Sequence, residues 1–377
     1  MFLMLRFLTA GETHGKCLVA ILEGMCSNLA IDEKKINEYL CLRQGGYGRG
    51  GRMKIETDTV EILSGVRGGK TLGSPIALLI KNKDFENWKN IMGTDFATDE
   101  RKVTTPRPGH ADLTGAIKYG HGDIRNVLER ASARETAIRT AVGAVCAELL
   151  EALGIKIYSR VVAVGNVKDE TGYEKEDFEK RISASEMRMY DKDAEEKAKK
   201  LIDEAKQKGE SLGGVIEVIV KNVPAGLGSY VSYDRKADAA LCGAMVSIQA
   251  IKAAEIGDGI CNAYRFGSDV HDEITLENGK YKRRTNRAGG IEGGMTNGED
   301  IVIRAYMKPI PTLYTPLDTV DFLTGEPKKA TVERSDICAV SAASVVCLAA
   351  AAFEIAKMIL DKYDSDDFNV LKKNFDK

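Results

Sequence analysis

Residues 132–154 read SARETAIRTAVGAVCAELLEALG, and the rest of the chain is best read outward from them. Ser132 and Glu135 stand three apart, the spacing of a capping box in which two side chains satisfy free amides at a helix start. Ile138, Ala141, Val142, Val145 and Leu149 then recur on one helical face, and Gly154 supplies the stop. The pattern predicts a helix whose apolar face needs a second layer to cover it.

Alternating polarity predicts strands over residues 55–63 (IETDTVEIL), 215–220 (VIEVIV) and 301–307 (IVIRAYM), and the apolar start of the chain reads as a first strand. A helix is expected from Asp32, where Ile31 and Ile36 have the spacing of a hydrophobic staple, to Gly45 and Gly46. Residues 191–208 carry a narrow stripe of Ala194, Ala198, Leu201, Ile202 and Ala205, with Glu195/Lys199 and Glu196/Lys200 as helical charge pairs, which predicts a surface helix. Two more helices, about 236–256 and 336–362, are rich in small and apolar residues around much of their circumference and should pack against sheets or another subunit. The polar tail, about 364–377, is expected to fray. Without a repeat or a Pro/Ser-rich linker, the expectation is a single α+β domain over 1–377, a sandwich of helices packed on antiparallel β-sheets.

Composition narrows the function. With 377 residues, 44% hydrophobic and 29% charged, the chain can bury a large core. Its formal net charge of −2 argues against a body built to coat nucleic acid or an anionic membrane, so any anion site must be local. No membrane span is expected, because the Ala-rich stretch 337–360 carries Glu354 and Lys357, and the start lacks the basic leader of a secretion signal. Eight cysteines lie without a close pair and read as reduced core residues, which suits a cytoplasmic protein; no ligand spacing suggests a metal.

Four elements offer chemistry. Residues 43–54, RQGGYGRGGRMK, combine five glycines with four cationic side chains, so they read either as an anion-holding loop or as a solvated basic one. Residues 107–139 gather His110, His121, Arg125, Arg130 and Arg134 at or before the Ser132 helix start, where cations oppose the macrodipole unless an anion such as phosphate sits among them. His14 stands in the glycine-flanked turn GETHG, residues 11–15, where an imidazole can give or take protons near neutrality. His271 reads as a surface-loop residue. The glycine run 286–300 and the turn KPIPT, 308–312, expose backbone and a lysine that could meet phosphate; either is also readable as a plain turn. No Walker or dinucleotide fingerprint is present, and an RNA-binding reading fails for want of aromatic platforms and net positive charge.

GETHG (11–15), RPGHAD (107–112), ERASARETAIRTAVGA (129–144), QAIKAAEIGDG (249–259), GGIEGGMTNGED (289–300) and VERSD (332–336), in this order across nearly the whole chain, closely resemble the chorismate synthase family. The resemblance implies a cytoplasmic homotetramer that binds reduced FMN and 5-enolpyruvylshikimate 3-phosphate. It further implies an anti-1,4 elimination of phosphate giving chorismate, without net redox, as the last step of the shikimate pathway in aromatic amino acid biosynthesis. His14 would then protonate the departing phosphate, His110 would serve the flavin N1 and O2 edge, and Asp336 would help relay a proton from flavin N5, although alone it reads as a helix cap.

By the same resemblance, FMN contacts fall on Arg130, Ala131 and Ser132, on Gln249, Ala250 and Gly293, on Lys308, Pro309, Ile310, Pro311 and Thr312, and on Arg334. Arg43, Arg49 and Arg134 correspond to residues for substrate or NADPH. Whether NADPH is the electron source, through this chain or a separate flavin reductase, stays open. Thr13 stands where the family usually has serine, Ser335 where many members have histidine, and KPIPT replaces KPTS, so flavin contacts there should differ in detail.

Overall fold

The computed structural model describes residues 5–51, 56–96 and 98–377. Two antiparallel sheets face each other across a helical layer. The first is ordered β1 (Arg6–Ala10), β2 (Cys17–Glu23), the strand Ile76–Lys81 and β3 (Val60–Ser64). The second runs Ile251–Ile256, Ile301–Met307, Gly214–Lys221, Lys156–Val164 and Val167–Lys168.

Period-two patterning sets which faces meet. Leu18, Ala20 and Leu22 of β2 and Ile216, Val218 and Val220 of Gly214–Lys221 are at most 1% exposed and belong to one core. Each such aliphatic side chain contributes about 1.5–3 kcal/mol by leaving water. On the opposite face, Ile219 packs beneath Phe178 and Ile182 of a short helix.

Between the sheets lie α1 (Glu33–Gln44), α4 (Thr136–Ala152) and the long helix Val340–Tyr363, while a helix pair, α2 (Asp112–Tyr119) and α3 (Arg125–Ala131), forms a small cluster of its own. The α4 helix packs on β2 and Ile76–Lys81 on one side and on Val340–Tyr363 on the other, and that helix covers the second sheet. Covered on both sides, α4 buries almost its whole circumference, not the single face its sequence suggests. Small residues make the close crossing possible: a Cβ on Gly143 would lie 2.4 Å from the Ala349 carbonyl oxygen.

The α+β sandwich and the strand Ile301–Met307 match expectation, while five local readings are corrected. First, Ser132 does not open α4 through a capping box; its hydroxyl accepts from the Arg134 amide ahead of a short 3-10 turn, and Glu135 turns away to Thr9. Second, helix Ala237–Val246 ends early, and Ile251–Ile256 is a strand whose alanines hid the alternation. Third, the long helix begins at Val340, so Asp336 caps nothing. It is long and apolar enough to cross a membrane by length and composition, but 72% of its apolar window is buried inside the protein. Fourth, residues 364–377 hold a helix, Phe368–Phe375, capped by Asp367 and anchored by fully buried Leu371. Fifth, the expected strand at 55–63 is real only from Val60; Ile55 is outside the described residues, and Glu56 and Asp58 turn inward as buried acids.

All eight thiols are free, but Cys41 and Cys261 are exposed and not core. Burial pushes the Cys26 thiol up to about 11 and the Cys347 thiol to about 12, which keeps them protonated and inert.

Gly143→Ala separates packing from propensity. Helix propensity alone favours alanine by roughly 1 kcal/mol, whereas the clash with Ala349 should reverse the sign and destabilise the fold by about 1–3 kcal/mol. Urea denaturation reads the difference; a stabilised variant would contradict the tight crossing.

Candidate active site

One end of the helical layer opens into a cavity of about 1180 Å³. That exceeds the roughly 300–1,000 Å³ usual for a single small ligand, so two ligands fit side by side. Nine lysines and arginines against four acids line it among the described residues. A chain of net charge −2 has thus concentrated positive charge in one concave place.

His14 sits in the turn between β1 and β2, and α3 holds it there. Gly11, with φ of 111°, lets the turn pass where a Cβ would lie 2.3 Å from the Cys17 carbonyl oxygen. The Thr13 amide and hydroxyl both donate to the Glu129 carbonyl at 2.8 Å, and the His14 amide donates to Glu129 Oε2 at 2.8 Å. His14 Nδ1 meets Glu129 Oε1 at 2.8 Å, while Nε2 lies 4.0 Å from Asp84. Trp88 stacks on the imidazole, with centroids 3.8 Å apart and planes 13° apart, and the Arg101 guanidinium covers the indole at 4.2 Å.

His110 precedes α2, and its Nδ1 lies 2.5 Å from Asp112 Oδ1. Arg107 grips the same carboxylate through Nε at 2.9 Å and reaches Thr312 Oγ1 at 2.8 Å. Burial alone would raise the Asp112 carboxyl, but the hydrogen bonds from His110 and Arg107 outweigh it and hold it below the usual carboxylate range. Lys308, which donates to the Gly109 carbonyl at 3.0 Å, is also lowered, but at the expense of its charged form: burial, then Lys252, disfavours its ammonium. An anion in the cavity would relieve that cost.

The floor is an ion cluster. Arg134 bonds both oxygens of Asp58 at 2.6 and 2.7 Å and also Asn82 Oδ1, while Arg43 bonds Thr136 Oγ1 and lies 3.5 Å from Asp58. Both guanidiniums are about 5% exposed. Asp336 accepts from the Gly50 amide at 2.6 Å and pairs with Arg49 at 3.0 Å, and Arg334 pairs with Asp84 at 2.6 Å.

The cavity therefore brings together His14, His110, Asp336, Arg43, Arg49 and Arg134, and with them Ala131, Ser132, Gln249, Ala250, Lys308, Ile310, Pro311, Thr312 and Arg334. Arg130, Pro309 and Gly293 do not line it. Arg130 instead ties the carbonyls of Thr9 and Gly11 to α3, and Gly293 sits in the hairpin between Ile291–Glu292 and Met295–Thr296. Of the loop at 43–54, residues 52–54 are outside the described residues. Four contributors escaped the sequence reading: Glu129, Asp112, Asp84 and Trp88. Two had a signal, since Asp112 stands two residues from His110 and Trp88 is the chain's one tryptophan.

The family model for chorismate synthase matches residues 5–360. The chain belongs to the chorismate synthase family. It is 55% identical over 376 residues to the chorismate synthase of Caldicellulosiruptor bescii, covering 98% of each chain. It is 52% identical to that of Staphylococcus carnosus, covering 99% of this chain and 98% of the relative. A crystal structure of a chorismate synthase superposes with a TM-score of 0.79 at 45% identity, over 99% of this chain and 96% of that one. Membership makes the chain a carbon–oxygen lyase.

Among the described residues, Arg134→Ala would leave the buried Asp58 carboxylate with only the longer Arg43 ion pair. The expected loss is about 3 kcal/mol, the lower end for breaking a buried pair, read by denaturant unfolding. A loss below about 1 kcal/mol would contradict the cluster as a structural floor.

Proposed function

We propose that this cavity eliminates phosphate from 5-enolpyruvylshikimate 3-phosphate in the anti-1,4 sense, giving chorismate with reduced FMN and no net redox change. The observation that carries the reading is the pair of histidines, each braced by a buried carboxylate, on one cavity rich in cations. The substrate carries a phosphate and carboxylates, and FMN carries a second phosphate, so both are anions that such a cavity attracts.

The residues present also fit a flavin. Gln249 Oε1 and Trp88 Nε1 belong to lining side chains and are buried without a hydrogen-bond partner among the described residues, so a polar ring edge could complete them. Ala250, Met307, Pro311 and Val332 supply apolar wall. Lys308, Thr312, Ser132 and Arg334 would hold FMN, which when bound supplies electron density that eases carbon–oxygen cleavage.

His14 donates the proton that the departing phosphate needs, a transfer that contributes typically 10²- to 10⁴-fold. His110, held by Asp112 and Arg107, would hold a proton toward a flavin bound in the cavity. Asp336, held by Arg49 and the Gly50 amide, would accept the proton that leaves substrate carbon 6. Arg49 and Arg43 favour substrate carboxylates, and Arg134 supports them from below. A homotetramer and a cytoplasmic setting go with this reading: exposed Tyr264, Phe266 and Leu276 offer apolar contact area, and free thiols suit a reducing compartment.

Anaerobic incubation with dithionite-reduced FMN and the ester should release phosphate and chorismate in equal amounts. His14→Ala and His110→Ala should each lower kcat by roughly 10²- to 10⁴-fold while the fold persists. Phosphate without chorismate would overturn the reaction, and near wild-type turnover in either variant would remove that histidine from proton transfer. With NADPH in place of dithionite, product formation assigns flavin reduction to this chain; none assigns it to a separate flavin reductase.

A further inference from the structure

We propose that Glu129 is the positioning residue of the proton donor: its carboxylate fixes the tautomer and the orientation of the His14 imidazole, leaving Nε2 as the nitrogen that exchanges the proton. The inference rests on the reading of His14 as the acid. Its support is geometric. Glu129 is 3% exposed and lies on α3, 115 residues from His14 in sequence, yet it contacts that residue through both carboxylate oxygens. Oε2 accepts the His14 backbone amide, which can only donate, and Oε1 faces Nδ1 at 2.8 Å.

An ionised carboxylate only accepts hydrogen bonds, so Nδ1 must carry a proton in either charge state of the ring. Arg125, 3.7 Å away on the same helix, sets a cation beside the Glu129 carboxylate. Trp88 fixes the ring plane from one face. On the other nitrogen's side stands Asp84, 4.0 Å from Nε2 and paired with Arg334, so a carboxylate lies beyond each ring nitrogen. A carboxylate needed only to hold the turn would require the amide contact and the Thr13 contacts to its backbone carbonyl; the Nδ1 contact adds control over the ring itself.

Glutamine is the discriminating replacement because it has one acceptor oxygen. Once that oxygen takes the His14 amide, the glutamine NH₂ must donate to Nδ1, which forces the proton onto Nε2. The test uses full-length, FMN-loaded protein with ¹⁵N-labelled histidine. In Glu129→Gln, the His14 ring signals should change from Nδ1–H to Nε2–H, kcat should fall roughly 10²- to 10³-fold, and flavin titration and melting should stay near wild type. The double variant with His14→Ala should be no slower than His14→Ala alone, because the two residues act as one unit.

Wild-type kcat in Glu129→Gln, a lowered kcat with unchanged ring signals, or additive losses in the double variant would each overturn the proposal. Should Glu129→Gln fail to fold, Glu129→Asp carries the test. Retained Nδ1–H signals with kcat at least about tenfold above His14→Ala support the proposal, and kcat equal to His14→Ala overturns it. If wild type itself makes no chorismate, the reading of the reaction fails, while the ring signals, recorded without substrate, still decide the positioning claim.

Discussion

Asp58 holds two arginines that would otherwise repel each other in the protein interior. Arg134 comes from the turn ahead of α4, Arg43 from the end of α1, and Asp58 from the segment leading into β3. Burying guanidinium groups is costly unless their charge is shared with an acid and their remaining donors are used. Here Thr136, the Ala133 carbonyl and Asn82 take several of them, and Arg43 Nη1 has only its 3.5 Å ion-pair contact to Asp58 among the described residues. The cluster thereby joins the helical layer to the first sheet, and Asn82 also accepts the task of holding the His14 turn through the carbonyls of Glu12 and Gly15.

From that floor upward the site repeats one device. A carboxylate secures a cation or an imidazole in place, buried in three cases and half-buried in the fourth: Glu129 for His14, Asp112 for His110 and Arg107, Asp84 for Arg334, and half-buried Asp336 for Arg49. The carboxylates keep the positive groups oriented before any ligand arrives, which is how a polar site avoids reorganising during a reaction. The cations still outnumber the acids along the cavity, so the preorganised surplus remains available to anions.

How far sequence reaches into this arrangement depends on the range of each interaction. The strand Ile301–Met307 alternates with strong aliphatics and was legible, whereas Ile251–Ile256 has two alanines that serve helix and sheet alike. The α4 helix was legible as a helix, but its burial on all sides depends on a long helix some 200 residues later. The histidines and the glycine-flanked motifs stood out locally. Glu129 did not, since a glutamate in an arginine-rich helical run looks like a surface charge until a turn from the first sheet docks on it. Glu56 and Asp58 were hidden differently: their alternation with Ile55, Thr57 and Thr59 imitates a strand, and only Arg134 and its neighbours reveal them as inward-facing acids.

The central claim is that these separated motifs form one cavity for a flavin and a phosphate ester, with an imidazole serving each. A crystal structure of the chain with FMN and 5-enolpyruvylshikimate 3-phosphate bound tests it most directly. The account predicts both molecules inside the cavity of about 1180 Å³, with His14 and His110 each within about 2.6–3.2 Å of a ligand atom or one water removed. Flavin bound elsewhere on the chain, or either histidine beyond that reach of both ligands, would contradict it.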